Sequence, residues 1–337
     1  MKVLFLIKKR NFYSESHSYT DVPTSGLYNS ANFVNNMLKY NGIPSHIKEV
    51  NDANNIDREV HILKPGIVFI EALWVTPDKF AELIRLHPNI KWIVRIHSNT
   101  PFIANEGIAM EWILNYLRLG IIIAPNCKKM LNELHSIGKK NIVYLPNYYQ
   151  FSSIEHKRPV HNKHTLNVAS FGAIRPLKNQ LMQALAAIKF AKKSHLKLNF
   201  HINKSRIENS GNNVYKNIVG LFNNINDDYN LIQHPWLEHK DFLKLISTMD
   251  ISMQMSFSET QNIVTCDAVS QLVPIVVSKE IDWATGYCMA NPTDIDDIVN
   301  KMERVLNFKI ITRMNRFSLT IWNIESENIW LKYLNGL

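Results

Sequence analysis

Glu259 and Asp267, eight positions apart, carry the clearest chemical pattern in this 337-residue chain. They fall in the stretch from Asp250 to Ser278, which reads as a strand, a turn, a helix and a second strand. On a helix, two acids about two turns apart share roughly one face. Ionised carboxylates only accept hydrogen bonds, which suits them to hydroxyl groups. Glu259 would stand at the mouth of that helix, whose free backbone N–H groups suit an anion, phosphate above all. A second segment supplies cations. Gly172, Arg175 and Lys178 follow the strand candidate Leu166–Phe171 and open the next helix pattern. Gly172 allows the backbone close to a ligand. Two cations at a helix start oppose the helix dipole unless an anion is present. A pyrophosphate would resolve that conflict, and phosphate together with hydroxyls describes a nucleotide-sugar.

These residues resemble the motifs of retaining glycosyltransferases of the GT-B fold, of the Glu-x7-Glu, family-4-like type. That family usually reads Glu-Gly-Phe-Gly, four residues, Glu-Ala, and then Gly-x-Pro-Val-Val. This chain reads Glu259-Thr260-Gln261-Asn262, four residues, Asp267-Ala268, and then Leu272-Val273-Pro274-Ile275-Val276-Val277. The second acid is one methylene shorter, and Thr260, Asn262 and Leu272 stand where the family has glycine. The resemblance implies a nucleotide-sugar site, with UDP as the expected nucleotide, built from Gly172, Arg175, Lys178, Asn262, Ile263 and Asp267. Arg175 and Lys178 would hold the diphosphate and Asp267 the ribose, while Glu259 would hold sugar hydroxyls at the reacting carbon. It implies retention of configuration, with the leaving phosphate as base, and no metal or other cofactor. Further markers are similar to the family. His97 closes the strand Lys91–Ile96 and would touch the donor sugar. Gly26 lies in a loop on the acceptor side. Leu145-Pro146-Asn147 matches the turn that ends the first domain.

The elements that must position these residues alternate along the chain. Strand patterns are expected at Lys2–Ile7, Ser45–Val50, Ile67–Ala72, Lys91–Ile96, Ile121–Ala124 and Asn141–Leu145. Helix patterns stand at Leu27–Asn41, Pro77–Leu86, Ile108–Leu119 and Cys127–Gly138. From Gln150 to His164 the pattern lapses into a polar linker and then restarts. Alternation of this kind implies α/β architecture, a parallel sheet with helices on both faces. Two such domains in tandem match the GT-B layout, two Rossmann-like domains facing across a cleft. The expected division is residues 1–155 for the acceptor side, 156–310 for the nucleotide-sugar, and 311–337 as a helical tail returning to the first domain. A P-loop and a Gly-x-Gly-x-x-Gly are both absent, against a P-loop NTPase or a typical NAD enzyme.

Composition bounds the partners. The net charge of +9 favours a polyanion. Lys8, Lys9 and Arg10 follow the first strand, beside Phe12, Tyr13 and Tyr19, which could stack on a base. This basic balance is similar to that of bacteriophage enzymes that glycosylate modified bases, so DNA carrying 5-hydroxymethylcytosine is the expected acceptor. A surface polysaccharide or lipopolysaccharide is the alternative, and an inactive binding module the third reading. Three scattered cysteines give no metal spacing, and a cytoplasmic location is expected from them. No run reaches the roughly 18 apolar residues of a membrane span.

Overall fold

A computed structural model describes residues 2–9, 25–138, 140–152 and 164–336. The chain divides into two units, one of Met1–Gln150 with Trp322–Leu337, the other of Phe151–Ile321. The first unit holds β1 (Val3–Lys8), α1 (Gly26–Tyr40), β2 (Ser45–Val50), α2 (Asn55–Leu63), β3 (Ile67–Glu71) and α3 (Pro77–Leu86). It continues with β4 (Lys91–Ile96), α4 (Thr100–Ile103), α5 (Ala109–Arg118), β5 (Ile122–Pro125) and α6 (Lys128–His135). The second holds β6 (Thr165–Ala169), α7 (Gln180–Lys193), β7 (Lys197–Asn203), α8 (Gly211–Asn223), β8 (Tyr229–His234) and α9 (His239–Ile246). It ends with β9 (Ile251–Gln254), α10 (Ile263–Ser270), β10 (Ile275–Val277) and α11 (Ile295–Asn307), after which α12 spans Ile310–Asn335.

Each unit contains one five-stranded sheet, ordered β2-β1-β3-β4-β5 in the first and β10-β9-β6-β7-β8 in the second. Every strand pair in both sheets is parallel. Fully buried runs such as Val3–Ile7 and Ile67–Glu71 are what a sheet covered on both faces requires. The order in which strands are added reverses between β1 and β3 in the first unit, and between β6 and β9 in the second. Ligands in open parallel sheets bind outside the carboxyl ends of strands at such a reversal. In the second unit these are the ends of β6, leading to Gly172, and of β9, leading to Glu259.

Several elements differ from the sequence expectation. Asn141–Leu145 forms no strand. It runs beside β5 through a single bridge, Ile123 to Ile142, with Asn141 at φ 67°. Pro146 then lacks the N–H that would extend the pairing. The helix α2 lies where no helix was expected. Its apolar positions Ile56, Val60 and Leu63 follow helical spacing, but the polar run Asn51 to Asn55 reads as a turn. The tail divides at Trp322 instead of residue 311, since residues up to Ile321 group with the second unit. From Trp322 on, α12 belongs to the first unit. There buried Trp330 packs against Phe5 and Phe69, with ring centroids at 6.0 and 5.2 Å, and its Nε1–H donates to Pro146 O at 2.7 Å. No helix among the described residues is long and apolar enough to cross a membrane.

Candidate functional site

Gly172 follows β6 at φ +109°, a conformation that L side chains rarely adopt. Its N–H donates to Asn203 Oδ1 at 2.8 Å, which ties the loop to the end of β7. Pro176–Lys178 then forms one 3-10 turn, and Asn179, at φ 55°, leads into α7. Arg175 and Lys178 therefore precede α7 and do not sit on its first turn. Their charges are matched by internal carboxylates. Lys178 Nζ donates to Glu259 Oε1, with both side chains buried. Arg175 Nη1 lies 3.5 Å from Glu208 Oε2, and Arg206 Nε donates to Glu208 Oε1 at 2.7 Å.

Burial pulls the Lys178 ammonium below the usual lysine range, with Glu259 opposing that shift. Burial works to raise Glu259, but Lys178 and Arg175 more than offset it and hold the carboxyl below its ordinary range. Glu259 is thus ionised at neutral pH. The arrangement joins two residues that the sequence reading assigned to different parts of the donor, one to phosphate and one to sugar.

The loop that carries Glu208 is fixed by close approach. A Cβ on Gly211 would lie 2.0 Å from Ile174 O, so only glycine allows that contact. Ile174 and Ile207 form a parallel bridge beside it. Glu208 was missed at the sequence level because nothing in its spacing marks it as the partner of Arg175.

Glu259 lies in the turn before α10, four residues ahead of Ile263, the first helical residue. The shared helix face expected for Glu259 and Asp267 therefore does not exist. Asp267 is buried and pairs elsewhere, with His239 Nε2 2.7 Å from its Oδ1. Two of the three missing glycines also find their explanation here. Asn262 adopts φ 60°, the left-handed region that Asn tolerates better than most residues. Its Oδ1 accepts from Thr265 N–H at 3.0 Å, and its Nδ2–H donates to Gln254 Oε1 at 2.9 Å. Thr260 is not among the positive-φ residues, so no glycine is required there, whereas Leu272 is held at φ 56°.

Asn262→Ala is expected to destabilise the fold by about 2–3 kcal/mol, from a lost cap of ~1 and a left-handed Ala costing ~1–2. Asn262→Gly should cost less, since glycine takes positive φ freely. Urea unfolding of both variants checks this, and equal losses would contradict the backbone explanation.

In the first unit His97 follows β4. Its Nε2 lies 2.5 Å from Glu71 Oε2, and Asn126 Nδ2 lies 3.4 Å from its Nδ1. Glu71 ends β3 and is fully buried, and Arg95 Nη1 donates to both of its oxygens at 3.0 and 3.1 Å. Arg95 Nη2 donates to Asn147 Oδ1 at 2.8 Å, and the guanidinium lies 5.0 Å from the Trp330 ring centroid. Burial lowers the pKa of His97, with Glu71 opposing and Arg95 adding to the shift, so the ring is neutral at pH 7. Burial raises Glu71, but Arg95 and His97 overcome it and keep the carboxyl low. The sequence signal for Glu71 was slight, an acid closing an otherwise apolar strand. Gly26 is the first residue of α1, behind the N-cap Ser25, whose side chain accepts from Tyr28 N–H. Lys8 and Lys9 are exposed at the end of β1, while Arg10 and the segment 11–24 lie outside the described residues.

No family model matches the chain, and no curated protein sequence matches it either. Solved structures do. A mutant of S. aureus TarM, in complex with Fondaparinux, alpha-GlcNAc-glycerol and UDP, aligns with TM-score 0.61 at 18% identity over 80% of this chain. The chain spans only 54% of the length of that TarM chain. Trehalose-6-phosphate synthase OtsA aligns with TM-score 0.71 at 12% identity, over 99% of both chains. The trehalose-6-phosphate protein from E. coli bound with UDP-2-fluoro glucose aligns with TM-score 0.68 at 12% identity, over 99% of this chain and 98% of that one. The fold is the GT-B fold, two doubly wound parallel-sheet domains in one chain.

Proposed function

We propose that this protein is a glycosyltransferase that moves a sugar from a UDP-sugar to an acceptor hydroxyl with retention of configuration. The observation that carries the reading is the group Gly172, Arg175, Lys178 and Glu259 at the strand-order reversal of the second sheet. Buried charge is costly unless matched. Even matched, removing ion pairs such as Lys178–Glu259 and Arg175–Glu208 from water is costly, so keeping them at a sheet reversal calls for a functional explanation. The bound UDP and UDP-2-fluoro glucose in structures of the same fold favour a uridine nucleotide.

In this reading Lys178 and Arg175 share their N–H groups between Glu259, Glu208 and the donor diphosphate. An ammonium has three donors and a guanidinium five, so neither need give up its carboxylate. As the bond from the sugar carbon to the diphosphate breaks, negative charge grows on the leaving phosphate, and the two cations stabilise it. Gly172 and the N–H groups at the start of α10, beginning at Ile263, bring further backbone to the phosphates. Glu259, held by Lys178, accepts from sugar hydroxyls. The acceptor oxygen attacks on the face the diphosphate leaves, and its proton passes to the departing phosphate oxygen. His97 is assigned to donor-sugar contact by resemblance, and Glu71 keeps its ring in one orientation.

For the acceptor the proposal is DNA bearing a hydroxylated base, in the manner of bacteriophage enzymes that glycosylate modified bases. Its support is the net charge of +9 and the exposure of Lys8 and Lys9 beyond β1. A polyanionic glycan is the second reading, favoured by the saccharide bound in the TarM structure. The experiment mixes the protein with UDP-sugars and either a duplex containing 5-hydroxymethylcytosine or glycan acceptors. Transfer to the duplex is expected, with affinity falling steeply with salt at a log–log slope of about −0.9 per phosphate contact. Transfer to a glycan alone would move the second reading to first place. No transfer to either, with no UDP-sugar turnover, would overturn the enzyme reading.

A further inference from the structure

Asp267 stands where the resemblance puts the acid that holds the nucleotide ribose, yet the structure gives that carboxylate a different neighbour. His239 Nε2 is 2.7 Å from Asp267 Oδ1. The side chains are 22% and 3% exposed respectively, so the imidazole is the part of the pair that meets solvent. A carboxylate removed from water needs a strong donor, and His239 supplies it. The position of the imidazole is fixed from two sides. His239 is the first residue of α9, which packs on α10. Phe242, one turn further along α9, meets Phe171 edge to face at 5.3 Å, and Phe171 immediately precedes Gly172. The helix that presents His239 is thereby anchored to the loop assigned to phosphate.

The charges around the imidazole point one way. Burial depresses its pKa, but the bond to Asp267, the Asp267 charge and the Glu238 charge together carry it above the ordinary histidine value. From α10 the facing charge is Asp267. Cys266 beside it is a neutral thiol, its pKa pushed up by burial and by Asp267. Glu238 precedes His239, and Lys240 and Asp241 follow it on α9.

Resting on the nucleotide-sugar reading above, we propose that His239 is the side chain that contacts the nucleotide, and that Asp267 is the positioning residue that orients it. The shorter acid then has a purpose: Asp leaves room for an imidazole where Glu would reach out to the ribose itself. The chemistry at that point changes sign. A carboxylate selects ribose hydroxyls and repels phosphate, whereas an imidazolium donates to any oxygen and attracts a diphosphate. Two consequences separate the arrangements. Affinity for a nucleoside diphosphate falls as pH rises through the His239 pKa, because the attractive charge is lost. Discrimination between ribose and 2′-deoxyribose is weak.

The test is calorimetric titration with UDP and 2′-deoxy-UDP from pH 6 to pH 9, comparing wild type, His239→Gln and Asp267→Asn. The amide of Gln can still donate to Asp267, so His239→Gln retains the pairing. Titration of UDP itself is common to all three proteins and cancels in the comparison. Wild type is expected to bind UDP about tenfold more tightly than His239→Gln at pH 6, with the difference vanishing at high pH. For Asp267→Asn that convergence should shift to lower pH, because the group that raises the histidine pKa is gone. 2′-Deoxy-UDP should bind wild type within about threefold of UDP, since charged donation to phosphate does not need the 2′-hydroxyl. On wild type alone, the His239 ring resonances of 13C-labelled protein should shift when UDP is added. Equal UDP affinity of His239→Gln and wild type at every pH, with a large loss in Asp267→Asn and for 2′-deoxy-UDP, would overturn the proposal and put the ribose on Asp267. If folded wild type binds none of UDP, GDP, ADP and TDP, the nucleotide reading itself fails and the proposal with it.

Discussion

Replacing Lys178 with Met is expected to weaken nucleoside-diphosphate binding and lower turnover, each by about 10- to 150-fold. That is the loss of one charge-assisted contact to phosphate, ~1.5–3 kcal/mol, at a factor of ten per ~1.4 kcal/mol. The substitution also strands Glu259, which shares the buried pair with Lys178. Removing one partner of a buried pair costs about 3–5 kcal/mol, so stability must be read alongside activity. The double variant Lys178→Met with Glu259→Gln separates the two effects. Stability should largely return in it, because no buried charge is left alone, while binding stays weak. If binding returns along with stability, Lys178 serves the fold and not the phosphate. Titration calorimetry with UDP and urea unfolding of the three proteins give the answer.

Arg95→Met is expected to destabilise the first unit by about 3–5 kcal/mol, among the largest single effects in the chain. Arg95 and Glu71 have no exposed side-chain surface, and the guanidinium binds both Glu71 oxygens, Asn147 and Leu145 O. It also lies against Trp330, so one side chain joins β3, β4, the turn at Asn147 and the end of α12. Its loss leaves an ionised Glu71 buried, hydrogen-bonded to His97 but without the cation that matches its charge. It also removes a repulsion that lowers the His97 pKa, so His97 should take up a proton at higher pH than before. Denaturant unfolding of Arg95→Met, of Glu71→Gln and of the double variant checks this. The double variant should be more stable than the sum of the single losses implies. A loss under ~1 kcal/mol for Arg95→Met would show that the network is not what holds this edge together.

Sequence and structure agree where local pattern carries the information. The strands Ser45–Val50 and Lys91–Ile96 and the helix Pro77–Leu86 fall where their apolar periodicity and caps put them. The tandem sheets followed from the same alternation. Asn141–Leu145 shows the limit of that logic, because an apolar run is necessary for a strand and pairing is decided by neighbours. For the site, the types and spacing of Gly172, Arg175, Lys178, Glu259 and Asp267 were legible as a set. Their partners were not. Lys178 meets Glu259 across 81 positions and Asp267 meets His239 across 28, and nothing local marks either pairing. Glu208 and His239 were invisible for the same reason, and Glu71 showed only as an acid closing an apolar strand. Asn262 is the instructive middle case. The absence of glycine read as a departure, while the backbone keeps the glycine conformation and Asn supplies it.

The central claim is that the second unit binds a nucleoside-diphosphate-sugar and activates its anomeric carbon. The most direct measurement is 1H NMR of the protein with UDP-glucose, UDP-galactose and UDP-N-acetylglucosamine in the absence of acceptor. Many donor-activating sites leak slowly to water, so the predicted result is release of UDP from one of these sugars, with the free sugar appearing first as the α anomer. The leak should disappear in the double variant Arg175→Ala with Lys178→Met. A folded wild-type protein that neither binds nor hydrolyses any of the three donors would contradict the claim, as would hydrolysis that persists unchanged in the double variant.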